Sequence, residues 1–111
     1  MKALDFYQPS FYSDGVYIWS SNGVMALMIC DEITKDPELL LQRTCDILND
    51  DAKPTNRADL SYDAPTIKLK GKPFLVVRGW GTLKSDGFSP EDAARIQDEF
   101  ASWVIEKLSM Q

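Results

Sequence analysis

The residues best suited to hold a ligand lie in the second half of the chain, in the stretch Arg78-Gly79-Trp80-Gly81. An arginine can form two parallel hydrogen bonds with a carboxylate or a phosphate, and a tryptophan ring can stack on a flat group. Glycines beside the ring let the backbone approach a bound molecule closely. The pattern indicates an anion or nucleotide pocket with Arg78 as the anion-binding group, Trp80 as a stacking wall and Asp63 as a third pocket residue.

The same arginine also has a structural interpretation. The predicted strand register places Arg78 on the helix-covered side of the sheet, at the position that Ile29 holds in the first half. A guanidinium there needs a carboxylate or a ligand, because an unpaired buried charge is costly. The candidate carboxylates are Asp31, Glu32, Asp63 and Glu99. A salt bridge at a strand-to-loop bulge and a ligand pocket therefore both remain open.

Catalytic chemistry has few candidates in this chain. The sequence contains no histidine, which excludes Ser-His-Asp and Cys-His systems and any metal centre that needs histidine. Adjacent acids such as Asp98-Glu99 point in different directions and form no catalytic pair. Cys30 and Cys45 fit two free thiols better than a disulfide. We therefore expect no enzyme, no metal centre and no cofactor.

The acidic balance of the chain limits its partners. The formal net charge is −5, whereas sequence-independent binding to nucleic acid depends on an excess of lysine and arginine. Lys68, Lys70 and Lys72 surround one turn and fit a solvated hairpin tip. Stacking of a single-stranded nucleic acid on Tyr17 and Trp19 is a third functional alternative, which the net charge disfavours.

Length and composition predict one globular domain covering residues 1–111, since 44% of the residues are hydrophobic and 26% are charged. The longest apolar run, Val24 to Cys30, is too short to cross a bilayer. An acid at Asp5 interrupts what would be the apolar core of a signal peptide. We expect a cytoplasmic protein without membrane association.

Turn and capping residues predict the elements that position these side chains. Asn22-Gly23 and Lys70-Gly71 each lie between β-forming runs, which predicts two hairpins. Asp36-Pro37 and Ser89-Pro90 each precede an apolar pattern with helical spacing, which predicts two helices.

The two halves share this pattern, because a shift of 49 positions aligns Ile18 with Ile67 and Leu27 with Val76 without a gap. The sequence therefore predicts an α+β fold of two tandem ββα units, at about 11–50 and 60–109. Together they would form an antiparallel sheet of four or five strands with two helices packed on one face.

The predicted registers divide this sheet into two faces. Ile18, Leu27, Ile67 and Val76 share the side expected to carry the helices. The other side would expose a contiguous apolar patch, of a kind that monomers rarely leave in water. Its residues are Tyr17, Trp19, Met28, Leu75 and Val77.

This patch has two interpretations, which do not exclude each other. It could bind another protein or a second copy of the chain, because two-fold symmetry lets one patch meet itself. Alternatively, the N-terminal segment could fold back over it through its apolar residues, Leu4, Phe6, Tyr7, Phe11 and Tyr12.

The stretch RGWG at 78–81 is followed by the helix pattern EDAARIQDEFA at 91–101. On these residues the second half, from about Thr66 to Leu108, resembles small uncharacterised proteins of bacterial and bacteriophage genomes that carry RGWG before an EEAAxIQDxFA-type helix. The resemblance implies a bacterial or phage protein of the cytosol and no established activity.

The leading hypothesis is a non-enzymatic protein-interaction module that forms a homo-oligomer, most simply a homodimer, or binds another protein through the helix-free sheet face. The alternative is a domain that binds a small anion or nucleotide with Arg78 and Trp80.

Overall fold

A computed structural model describes residues 10–53 and 59–109 of the chain. Its α+β architecture is built on one antiparallel sheet. The strands are β1 (Tyr12–Ser13), β2 (Tyr17–Trp19), β3 (Ala26–Ile29), β4 (Leu60–Asp63), β5 (Thr66–Leu69) and β6 (Lys72–Arg78). The helices are α1 (Pro37–Leu48), α2 (Trp80–Ser85) and α3 (Pro90–Ser109), and a 3₁₀ turn covers Asp31–Ile33.

The α+β class is confirmed, but the predicted count of four or five strands is wrong. The sheet has six strands in the order β1-β2-β3-β6-β5-β4, so each half contributes three consecutive strands where two were predicted. The additional strands, β1 and β4, are the two outer strands of the sheet. The second half also has the short helix α2, which the prediction of two helices did not include.

The capping predictions for the two long helices are confirmed. The side chain of Asp36 accepts a hydrogen bond from the Leu39 amide at 3.2 Å, and Pro37 is the first residue of α1. Ser89 Oγ accepts one from the Asp92 amide at 3.1 Å, immediately before α3. Both side chains satisfy amide groups that have no partner within the first turn of a helix.

The first hairpin has the predicted register, with Ile18 opposite Leu27 and Trp19 opposite Ala26. Its loop is held by the hydroxyl of Ser20, which is fully buried. That hydroxyl accepts a hydrogen bond from the Met25 amide at 3.1 Å and donates one to Asn22 Oδ1 at 2.6 Å. The loop therefore fixes the register without interrupting the alternation of faces.

The second hairpin begins with the predicted register and then departs from it. Leu69 lies opposite Lys72 and Lys68 opposite Pro73, but Ile67 lies opposite Leu75 because the ladder is irregular at that point. Phe74 is therefore an extra residue on β6, a β-bulge. Every β6 residue after the bulge faces the side opposite to the predicted one.

The core lies between one sheet face and the helices. One cluster of buried apolar residues combines strand residues such as Ile18 and Leu27 with Leu41 of α1, Leu83 of α2 and Phe100 of α3. Helices α1 and α3 also contact each other, and α3 contacts α2. Packing of this core holds the strands in place, and with them the side chains on the other face of the sheet.

The start of the described chain packs on the helix side of the sheet. Phe11 is buried and stacks on Phe100 and Trp103, with ring centroids 6.3 and 5.6 Å apart respectively. The Asn49 side chain binds both the amide and the carbonyl of Phe11, each at 2.7 Å. The suggestion that Phe11 folds over the opposite face is therefore wrong, while Leu4, Phe6 and Tyr7 lie outside the described residues.

Candidate binding site on the open sheet face

The second face of the sheet is defined by the pairing of its strands, because directly opposed residues share a face. We call it the open face. One row of paired residues runs across β1, β2, β3 and β6, and a second row runs across β2, β3, β6 and β5. The open face consists of Tyr12, Trp19, Ala26 and Arg78 in the first row and Tyr17, Met28, Val76 and Thr66 in the second.

Exposure separates the open face from the core face. Tyr17, Trp19, Met28 and Val76 are half-buried and Tyr12 is 53% exposed, whereas the strand residues between them are buried. Among the described residues, none of these five belongs to the core cluster or packs against it. The open face therefore presents apolar side chains that no described helix covers.

Three of the five residues predicted for the apolar patch are together on this face. Tyr17 and Trp19 lie beside each other and Met28 lies opposite Tyr17. The assignment of Leu75 and Val77 is wrong, since both are buried in the core, opposite Ile29 and Leu27. The bulge at Phe74 is the physical reason, because it moves Val76 and Arg78 to the open face in their place.

The carboxylate of Asp14 fixes the orientation of the Trp19 ring. One oxygen, Oδ1, accepts hydrogen bonds from the amides of Val16 and Tyr17 at 3.0 and 2.7 Å. The other, Oδ2, accepts one from the Trp19 indole Nε1 at 2.9 Å. These bonds, that from Trp19 first, lower the pKa of Asp14 below its ordinary value of 3.8, since they favour the charged form.

The two aromatic rings form a pair of fixed geometry. The ring centroids of Tyr17 and Trp19 are 5.3 Å apart with an interplanar angle of 42°. This tilted arrangement falls within the range in which aromatic pairs attract each other. The sequence indicated both rings as a platform, but the bond from Trp19 to Asp14 was missed, because it joins residues five apart across a turn.

Arg78 lies at the end of the open face and not on the helix-covered side, so its predicted placement is wrong. Its side chain is exposed, and it forms no ion pair with any described residue. Two of the predicted carboxylate partners are occupied elsewhere: Asp63 pairs with Lys68 at 3.1 Å and Glu99 with Arg95 at 3.2 Å. Arg78 is therefore an exposed guanidinium without an ion-pair partner among the described residues.

The predicted group of Arg78, Trp80 and Asp63 is not brought together in the expected way. Asp63 forms an ion pair with Lys68 at 3.1 Å. Trp80 is the first residue of α2, and its side chain lies outside the described part of the structure. Instead, Arg78 shares a pocket of about 470 Å³ with Tyr17, Trp19, Ala26 and Gly79.

The two cysteines are free thiols, as predicted. Burial raises the pKa of Cys45 to about 11, and the neighbouring Asp46 and Asp51 act in the same direction. Burial, followed by the charges of Glu32 and Asp31, also raises the pKa of Cys30. Both thiols are therefore protonated at neutral pH, which makes them weak nucleophiles.

Within the ranges 10–53 and 59–109, no helix is long and apolar enough to span a bilayer. In the same ranges, no group of three or more cysteine or acidic side chains is placed to hold a metal ion.

Comparisons with known proteins do not assign the site. No protein-family model, no curated protein and no solved structure matches the chain. The resemblance to bacterial and phage proteins carrying RGWG therefore stays a prediction, and function has to be argued from the open face itself.

Proposed function

We propose that this chain is a non-enzymatic protein-interaction module that self-associates through the open face. The observation that carries the proposal is the Tyr17–Trp19 pair, which is half-exposed beside Met28 and Val76 on a rigid sheet. Half-exposed tryptophan and tyrosine on one continuous face are typical of an interface in its unbound form.

The fixed geometry of the pair favours binding. A side chain that is free in the unbound protein loses rotamer entropy when it is immobilised at an interface. Trp19 is already held by Asp14 at 2.9 Å and lies against Tyr17, so most of that loss has occurred on folding. Binding at the open face therefore loses less side-chain entropy than binding at a surface whose side chains are free.

The proposed occupant is a second copy of the chain. Six strands spaced by about 4.8 Å give a face about 24 Å across, which is the scale of an interface burying roughly 800 Å² per partner. Arg78 adds a cation that forms no ion pair with a described residue, on a chain with 17 acidic residues. A symmetric pair would cover both aromatic sites and offer each Arg78 an acidic partner.

The test is the solution mass of the wild type and of Trp19→Asp by light scattering over a range of concentrations. We expect a wild-type dimer and a folded monomeric variant, because a carboxylate in the centre of an apolar interface loses its hydration without gaining a partner. The matched control is Leu39→Asp, which places the same charge at an apolar residue of α1 that is 47% exposed. It should leave the dimer intact.

A wild-type monomer at every concentration would contradict self-association. Equal loss of the dimer in Trp19→Asp and Leu39→Asp would contradict the assignment to the open face. The cytoplasmic location and the bacterial or phage origin belong to the same proposal, as does the absence of an enzymatic activity.

A further inference from the structure

The pocket beside Arg78 combines aromatic rings with a cation, and it shares Tyr17, Trp19 and Arg78 with the proposed self-association surface. Its lining includes Trp19, Ala26 and Arg78, which are neighbours on three adjacent strands of the open face. Pro65, Val77 and Gln97 of α3 line it as well. Two strand spacings of about 4.8 Å separate Trp19 and Arg78 by about 10 Å. Between them lies Ala26, which also lines the pocket and is 1% exposed, so larger neighbouring side chains enclose its methyl group.

The two walls of this pocket have different chemistry. On one side are the ring of Trp19, oriented by its hydrogen bond to Asp14, and the neighbouring ring of Tyr17. On the other side is Arg78, an exposed guanidinium without an ion pair among the described residues. The volume of about 470 Å³ lies within the range that small-molecule sites occupy.

The backbone beside this pocket, just after β6, has a conformation that glycine adopts more readily than other residues. Gly79, which also lines it, has φ +150°, and a Cβ atom there would lie 2.5 Å from Met25 Sδ and 3.1 Å from the Val24 carbonyl oxygen. Val24 lines the pocket as well. A side chain at position 79 would therefore clash with the buried side chain of Met25 and with the backbone of Val24.

Charge distinguishes between the kinds of anion that would fit. Asp14 lies 2.9 Å from the indole nitrogen of Trp19, and its pKa is lowered, so it carries a negative charge close to the aromatic wall. Arg78 is the only cation among the described residues that line the pocket. One guanidinium can neutralise one carboxylate, whereas a phosphate dianion would keep an excess charge near Asp14.

We propose that this pocket binds a planar aromatic monocarboxylate, with the ring between Trp19 and Ala26 and the carboxylate on the Arg78 guanidinium. The nitrogens of Arg78 donate two hydrogen bonds to the carboxylate, and the aromatic wall contacts the ring. The site is complete in one chain, so it extends the proposed function without depending on it.

The test is a titration with 2-naphthoate, followed by the amide and indole signals of the ¹⁵N-labelled protein. The Trp19 indole signal is assigned from its loss in Trp19→Phe. We expect saturable binding with Kd below about 1 mM and shifts that centre on Trp19, Ala26 and Gly79. The neutral 2-naphthamide has the same ring and should bind roughly tenfold or more weakly, because it cannot form a charge-assisted pair with Arg78.

Two variants localise the binding. Arg78→Gln should weaken the binding of 2-naphthoate roughly tenfold or more and leave that of the amide unchanged. The matched control Arg43→Gln, at an exposed arginine of α1, should have no effect. Ala26→Leu should fill the space between the walls and abolish binding of both probes.

Three results would overturn the proposal: equal binding of acid and amide, unchanged binding in Arg78→Gln, or tighter binding of adenosine monophosphate than of 2-naphthoate. The titration is repeated on Met28→Asp, which breaks the open face outside this pocket. We expect binding there at least as tight as in the wild type, because loss of self-association would uncover Tyr17 and Trp19. Loss of binding in Met28→Asp would contradict a site that is complete in one chain.

Discussion

The two sets of three antiparallel strands, β1 to β3 and β4 to β6, place different kinds of residue on the open face. In β1 to β3 the alternation is regular, and the open face carries Tyr12, Tyr17, Trp19 and Met28. In β6 a bulge at Phe74 moves each later residue to the opposite face of the sheet. The open face of β5 and β6 therefore carries Thr66, Val76 and Arg78. One half therefore supplies aromatic surface and the other supplies the cation, and the site exists only where β3 and β6 meet.

The difference shows how one residue can decide the character of a surface. Without the bulge, Leu75 and Val77 would extend the apolar patch and Arg78 would be forced toward the core. With it, two apolar residues join the core at 0% and 2% exposure and the arginine reaches solvent. A register shift of one residue thus places Leu75 and Val77 in the apolar core and Arg78 in water.

The largest expected effect is a test of that reversal. Leu75→Asp should cost more than about 4 kcal/mol of unfolding free energy, because it buries a charge without a partner. Val76→Asp, one residue along, should change the unfolding free energy of the monomer by about 1 kcal/mol or less, because that side chain is on the open face. Both variants are therefore compared with the wild type at a concentration at which it is monomeric. Urea unfolding of both variants is the measurement, and an exchange of the two values would contradict the bulge.

The second prediction concerns the point where each half leaves the sheet. The 49-residue shift aligns Cys30, which has φ −96°, with Gly79, which has φ +150°. Gly79→Ala should lower the unfolding free energy by about 1–3 kcal/mol, since it adds backbone strain and a contact with Met25. Gly81→Ala is the control: nothing lies within 4 Å of its Cβ position, so it should be neutral or stabilising by up to about 1 kcal/mol.

Equal destabilisation by Gly79→Ala and Gly81→Ala in the same urea experiment would show that the two glycines are equivalent. Such a result would contradict a special backbone requirement for glycine at position 79.

The smallest expected effect concerns Asp14 and Asp63, which the 49-residue shift aligns with each other. Asp14 holds two amides and the Trp19 indole, whereas Asp63 forms an exposed pair with Lys68. Asp14→Ala should therefore shift the Trp19 indole signal and lower the melting temperature, while Asp63→Ala should change neither measurably.

The pH dependence of that signal follows from the lowered pKa of Asp14. The folded value lies below the unfolded value, so the stabilisation is fully present above about pH 4 and is lost as the pH falls through the folded pKa. A titration of the Trp19 indole shift should accordingly show its midpoint below 3.8. A midpoint at or above 3.8 would contradict the hydrogen bond.

Much of this arrangement follows from local sequence. Asp36 and Ser89 were identifiable as helix caps, and Asn22-Gly23 correctly fixed the register of Trp19 against Ala26. Such features depend on backbone geometry within a few residues, so the residue types alone indicate them.

The features that the sequence did not predict depend on contacts between residues far apart in the chain. The bulge at Phe74 has no turn residue to mark it, and its position follows from packing, since Phe74, Leu75 and Val77 are all buried. The strands β1 and β4 are short and lie at the sheet edges, where pairing with a neighbour determines them more than their own composition. The site at Arg78 could not be predicted correctly because its face depends on that bulge.

Self-association through the open face can be tested by an isotope-filtered nuclear Overhauser experiment on a mixture of labelled and unlabelled wild-type chains. We expect nuclear Overhauser effects between chains that involve the Trp19 ring and the Met28 methyl group. We expect none that involve Leu39 on α1. Contacts between chains that involve Leu39 and omit Trp19 and Met28 would contradict a function located on the open face.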